Sequence, residues 1–575
     1  MKKLSYLASF LIAAVLLSSC GGIDKMKEEY GTLTFTTSPK VLEMHGGEVE
    51  YSIQGDIPPE WFNKKAIVEF TPVLTYEGGE KELDSKVFQG VDVEANNKVI
   101  DYETGGSIEF NGTFTFEEPM RASRLVMRGE ARVADGDETL PLPEKQIAKG
   151  VKATPSLVMM DAKPVMMADK FERITTHKEK ADIHYVIQRD NVRKSELEQE
   201  DIKKLEDFVK NVEEAQNKSY KGIEIHGYAS PDGPVDLNER LSKGRKSSAN
   251  SYFDKVVDKK QLSEDEAKKV YKGKTTTEDW EGFKKLVQES NIEDKDLILR
   301  VLSMYSDPEV REKEIKNMSA TFKVLAEDIL PKLRRSEFAV EVENVGFSDA
   351  EIQQYILSKP DTLGLEELLY AGYELAKNPN QQLRAFELAA EKEPKCARAH
   401  NNIGYVKLMQ GEMDAAENAF EKANDLVDGK PQILNNLGVI ELKKGNVEEA
   451  EQYFRDATQA GDAVDYNLGI VSIIKGNYEE AINYLQNHES FNTALAMLLG
   501  DKQANAETML NQIDDKSAHN YYLQAVIAAR NNNAQEIFSN LRTAIDMNDE
   551  LKEKAMTDME FVEYLENETF TSIVQ

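Results

Sequence analysis

Cysteine is nearly absent: 575 residues contain only Cys20 and Cys396, so no disulfide framework is available. Histidine is scarce too, with seven scattered copies and none in a His-Glu-x-x-His arrangement, and Gly-x-Ser-x-Gly is missing. Gly273-Lys274-Thr275 ends like a phosphate-binding loop, but Lys268 stands where the opening glycine belongs. After residue 20 no apolar run approaches the ~18 residues that a transmembrane helix needs. Basic residues number 71 against 103 acidic ones, and the net charge of -32 argues against bulk binding to nucleic acid or anionic membranes, both of which would repel it. No carboxylate pair stands out for glycoside hydrolysis. The expectation is a non-enzymatic protein without cofactor, metal site or nucleic-acid partner, in which Cys396 is a packing residue.

What is present begins with an address. Lys2 and Lys3 precede an apolar run from Leu4 to Leu17, the order of a secretory signal. Leu17-Ser18-Ser19-Cys20 resembles the lipobox of bacterial lipoproteins. That resemblance implies a signal peptide over 1–19, acylation of the Cys20 thiol, and a lipid anchor; two or three chains at about 0.8 kcal/mol per methylene hold firmly. Gly21 and Gly22, with no aspartate after the cysteine, imply sorting to the outer membrane. Residues 20–30 then read as the lipidated cysteine and a short polar tether.

From 31 to 150 short alternating segments such as Glu48-Val49-Glu50-Tyr51-Ser52-Ile53 are punctuated by Gly-Gly, Pro-Pro and Asp-Gly, predicting a β-sandwich whose spacing resembles an immunoglobulin-like module. Residues 151–180 carry Val158-Met159-Met160 and Val165-Met166-Met167 around Pro164. They read as a connecting segment of strands packed at a domain junction, with methionine filling irregular apolar gaps.

Residues 181–347 follow a strand, helix, strand, helix order, interrupted by an acidic, helical insertion at about 259–335 and closed by the strand Glu337-Phe338-Ala339-Val340-Glu341-Val342. Gly227, Gly233, Asn238, Leu241, Ser242 and Arg245 fall in register on the pattern of the OmpA C-terminal peptidoglycan-binding family, which this segment resembles. The Ala-Ser-Pro-Asp-Gly turn and Trp-bearing insertion resemble the Bacteroidetes type. The resemblance implies that a diaminopimelate stem peptide is the ligand, with Arg245 clamping its carboxylate and Asn238 fixing the turn. Ser230 occupies the position of the family's aspartate, and Asp232 is the candidate partner for the ligand's ammonium group.

From 348 to 575 a helical period appears. Gly404, Gly411, Ala416, Phe420 and Ala423 recur 34 residues on as Gly438, Gly445, Ala450, Phe454 and Ala457, and a third copy has Gly469, Gly476, Ala481 and Leu485. This is similar to the tetratricopeptide repeat and implies an all-α solenoid whose inner face binds proteins or peptides. Asn402 and Asn436 share a repeat position and are candidates for lining that groove.

The expected function is an outer-membrane lipoprotein facing the periplasm, which binds peptidoglycan through the OmpA-like domain and recruits an envelope protein through its repeats. The alternative is an assembly or accessory scaffold of a secretion or fimbrial system that does not bind peptidoglycan.

Overall fold

The computed structural model describes residues 21–136, 138–257 and 268–575. Cys20, the expected signal peptide and the first residues of the expected insertion lie outside the described residues. The chain divides into two compact units, Met1–Met167 with Glu393–Gln575, and Ala168–Lys392.

In the first unit the N-terminal region is strand-rich. Glu48–Ile57 alternates strictly between exposed and buried residues, because a pleated strand sends successive side chains to opposite faces. It pairs antiparallel with Gly106–Thr115 and with Thr34–Ser38. The second sheet centres on the antiparallel pair Ala66–Tyr76 and Arg124–Val133. Both sheets contribute to one core that includes Trp61, Phe62, Phe70, Phe88 and Phe110. The expected flexible tether is corrected here: Gly21–Glu28 is a helix. Met26 and Tyr30 enter the sandwich core, and the Trp61 Nε1–H donates to the Met26 carbonyl at 3.1 Å. The apolar side chains among the polar ones decide this, since burying them outweighs the entropy of a free linker.

The C-terminal part of this unit is all-helical from Ala397 to Val574, built of antiparallel helix pairs such as Ala397–Met409 with Met413–Leu426 and Pro431–Lys444 with Val447–Asp456. A Cβ on Gly438 would lie 2.7 Å from the Phe454 ring, and one on Gly404 would lie 2.6 Å from Phe420. Glycine is therefore what lets each pair close over its aromatic residue. Cys396 precedes the first of these helices and is half-buried.

The sandwich and these helices share buried polar contacts. Thr154 donates to Glu560 at 2.5 Å, and Glu560, itself 1% exposed, is paired with Arg530. Gly46 has a positive φ of 60° and approaches so closely that a Cβ there would lie 2.7 Å from the Lys475 carbonyl oxygen.

The expected connecting segment is also corrected. Its last residues, from Ile174, begin a strand of the second unit that runs on to His184, while 158–172 has no strand partner.

The second unit holds a four-stranded sheet in the order Ile174–His184, Arg335–Val345, Lys218–Tyr228, Tyr271–Thr276. The first three are antiparallel neighbours, and the last pairs parallel with Lys218–Tyr228. This corrects the expectation of an all-helical insertion: a strand lies inside 259–335, and the described helices run from Trp280–Glu289 to Leu330–Leu333. Its sequence, Tyr-Lys-Gly-Lys-Thr-Thr, is almost wholly polar and gave no apolar period because it is a strand at the sheet's edge, half or fully exposed. Helices Glu200–Glu214 and Val235–Val256 cover one sheet face through Ile202, Leu205, Val209, Ala249 and Phe253.

Candidate functional site

The turn after Lys218–Tyr228 brings the predicted residues of the α/β unit together. The strand and the helix Val235–Val256 meet closely, since a Cβ on Gly227 would lie 2.2 Å from the Ser242 carbonyl oxygen. Asn238 donates through Nδ2 to the Gly233 carbonyl at 2.9 Å, pinning the turn to the helix's first turn. Arg245, 1% exposed, donates from Nε to the Arg189 carbonyl at 3.1 Å and from Nη1 to the Tyr228 carbonyl at 2.9 Å. Its guanidinium also lies 5.4 Å from the centre of the Tyr185 ring.

Asp232 does not stand open. It accepts from Arg334 Nη2 at 3.0 Å and from the Ser230 hydroxyl, and Arg334 Nε reaches Ser230 Oγ at 3.4 Å. Arg334 is the residue the sequence did not single out: it lies 102 positions from Asp232, and only folding makes them neighbours. Among the described residues no carboxylate stands within ion-pair distance of Arg245. Burial pushes its pKa down to about 10, and the neighbouring Arg334 guanidinium adds to the shift. The Asp232 and Asp190 carboxylates act on Arg245 in the opposite sense, so the arrangement is a buried guanidinium beside a second one, with its carboxylates beyond ion-pair distance.

Helices of the insertion close over this turn. The Asp279 N–H donates to the Ala229 carbonyl at 3.1 Å, and the Asp279 carboxylate takes Arg335 Nη1 at 2.7 Å. Lys316 Nζ donates to the Asp232 carbonyl at 3.3 Å.

A second constellation lies in the first unit. Asn402 and Asn436 are both fully buried, and each grips the main chain of the extended segment 158–167. Val165 N–H donates to Asn436 Oδ1 at 2.7 Å and its carbonyl accepts from Asn436 Nδ2 at 2.7 Å. Asn402 does the same for Met167, at 2.7 and 2.9 Å. Asn467 holds both groups of Lys163, and Asn492 both groups of Met159. A second row supports the first: Asn401 and Asn435 donate to the Val165 and Lys163 carbonyls, and their Oδ1 atoms accept from Asn436 and Asn467 at 2.9 Å. The segment runs opposite to the order of the helix pairs. Around this ladder Leu157 and Ala162 are buried, and Val158, Met159 and Met167 pack on the helical core. The methionines thus fill gaps along a groove, and the groove that Asn402 and Asn436 line is occupied by the chain itself.

Family models for the tetratricopeptide repeat match residues 383–431 and 432–460. The C-terminal region thus carries tetratricopeptide repeats. A search of curated proteins found no match. Among solved structures, PilF of Pseudomonas aeruginosa is 21% identical over 37% of this chain and 98% of its own, with a TM-score of 0.29. A tetratricopeptide repeat protein of Parabacteroides merdae is 16% identical over 37% of this chain and 91% of its own, also at 0.29.

The tetratricopeptide register could have found one further ladder residue. Asn467 follows Asn436 by the same interval as Gly469 follows Gly438. Asn492 lies beyond the third clear copy and carried no such signal. Among the described residues no cluster of three or more His, Cys, Asp or Glu could hold a metal ion, and no helix is long and apolar enough to cross a membrane.

Proposed function

We propose that the protein is an outer-membrane lipoprotein, held by lipid on Cys20, that binds peptidoglycan through an OmpA-like domain at residues 181–347 and acts as a non-enzymatic interaction scaffold through its repeats. The wall-binding reading is carried by one observation, the charge at the Arg245 turn. Arg245 is buried beside Arg334 and, among the described residues, closes no ion pair, Asp232 and Asp190 acting on it only from a distance, and a buried charge without a close partner is costly. A diaminopimelate carboxylate would supply the missing anion in the form a guanidinium binds best, and Asp232 would meet the ligand's ammonium group. Stacked repeats, for their part, are suited to protein or peptide partners.

The cover over the turn favours a second reading, an assembly scaffold of a secretion or fimbrial system in which Arg245 is structural. Wall binding requires the insertion to move away from Ala229 and Asp232; the scaffold reading does not. Co-sedimentation of the protein with insoluble peptidoglycan separates them. On the first reading wild type pellets, Arg245→Ala does so at least tenfold less well, and Arg245→Lys is intermediate because it keeps the charge and loses the fork. Folded wild type that stays in the supernatant overturns wall binding.

A further inference from the structure

The segment in the groove shows what else the groove can take. Asn402, Asn436 and Asn467 touch only N–H and C=O groups of the segment, at Met167, Val165 and Lys163, and Asn492 holds both groups of Met159, so the ladder mainly recognises an extended backbone and not a sequence. Polar side chains of the segment are read around Tyr466, with Asn492 beside it. The Tyr466 hydroxyl donates to both Asp161 oxygens at 2.9 and 2.8 Å, and Asn492 Nδ2 adds a bond to Asp161 at 3.0 Å. Lys163 Nζ sits 3.8 Å from the centre of the same ring. One tyrosine therefore selects an acidic residue and a cation two positions later. The occupying segment belongs to no helix or strand from Val158 to Met167, so it can leave without breaking regular structure of its own.

We propose that residues 158–167 are a displaceable cis ligand, and that the same groove receives an extended peptide from another chain: an acidic residue, a cation two residues on, and apolar residues to either side. The inference rests on the scaffold reading of the repeats and names the partner class. Tethering gives the cis segment an effective concentration on the order of millimolar, so it excludes a weak trans peptide and yields to one that binds better or arrives when the segment is loosened.

The test uses the full-length protein in detergent and a fluorescent peptide of sequence 155–169, read by anisotropy. Asp161→Ala with Lys163→Ala in the protein loosens the cis segment at Tyr466 and leaves the asparagines intact. The expected result is at least tenfold tighter capture of the wild-type peptide than by the unaltered protein. Adding Asn436→Ala and Asn467→Ala should reverse that gain, and a peptide carrying the same two alanines should not be captured. A folded variant that captures no better than wild type, or capture indifferent to the asparagines, overturns the proposal. Should the variant not fold, hydrogen exchange of 158–167 in the unaltered protein decides: saturating peptide should raise exchange there at least tenfold, and unchanged exchange overturns it. Envelope proteins that still cross-link to the protein when no peptide is captured would leave the scaffold reading standing and overturn this one alone.

Discussion

Replacing Asn436 by alanine removes four hydrogen bonds at once: the two to Val165 at 2.7 Å, the one to Asn401 Oδ1 at 2.9 Å and the one its Oδ1 accepts from Asn435 Nδ2 at 3.1 Å, after which Asn435 keeps its bond to the Lys163 carbonyl. At about 0.5–1.5 kcal/mol each, with a further cost because the Val165 N–H and the buried Asn401 Oδ1 lose their partners, the loss should come to ~3 kcal/mol. The Val165 carbonyl keeps its bond from Asn401, which is why the figure is not larger. This free energy acts first on the segment in the groove, so the assay should be local. Hydrogen exchange at the Lys163 and Met167 amides, each held by its own asparagine, should speed up by about a hundredfold, since ~1.4 kcal/mol is a factor of ten. Asn418→Ala, which removes one exposed bond to the Asp414 carbonyl, should leave those amides within about threefold of wild type. Asn436→Asp keeps the shape and replaces the amide donors with a carboxylate facing a carbonyl, so it should be at least as damaging at neutral pH. If either substitution leaves exchange of 158–167 unchanged in a folded protein, the segment is not held by the ladder.

Three other outcomes follow from particular contacts. Asp558 is fully buried, accepts from the Tyr522 hydroxyl at 2.8 Å and from the Glu560 N–H, and burial holds its pKa above the ordinary carboxylate value. Its native form therefore favours the proton, so its contribution is fully present below about pH 4 and is lost as the pH rises through the raised folded value. Asp558→Asn should accordingly gain thermal stability relative to wild type as pH rises from 4 to 8, and an advantage independent of pH would refute this. Gly438→Ala forces a Cβ within 2.7 Å of Phe454 and should cost about 1–3 kcal/mol in denaturant unfolding, as overpacking does. Glu560→Ala strips the largely buried Arg530 of its carboxylate and Thr154 of its acceptor; about 3–5 kcal/mol should be lost, and a stability change under 1 kcal/mol would show that the pair contributes little.

The repeats were legible because their packing is local in sequence. A helix pair needs a glycine opposite its aromatic residue, and Gly404 with Phe420 and Gly438 with Phe454 satisfy that within one repeat. Asn402 and Asn436 could be singled out by the same register. The alternating strands of the sandwich were legible for a similar reason, since period two needs no knowledge of the partner strand. The helix Gly21–Glu28 was missed because the two residues that bury it, Met26 and Tyr30, have no period among polar neighbours. The strand Tyr271–Thr276 was missed because its side chains show no apolar alternation: beyond the backbone pairing with Lys218–Tyr228 it adds polar contacts, Lys274 with Glu224 and Thr276 with His226.

Composition, the 34-residue period and the turn residues from Gly227 to Arg245 are properties of the chain that hold before it folds, and they determined the kinds of element and the candidate residues. Which groups meet was decided by tertiary structure. Arg334 reaches Asp232 across 102 positions, and Asn402 meets Met167 across 235. A hydrogen bond or an ion pair depends on distances in space of about 3 Å, and nothing in the spacing of residues along the chain carries that information.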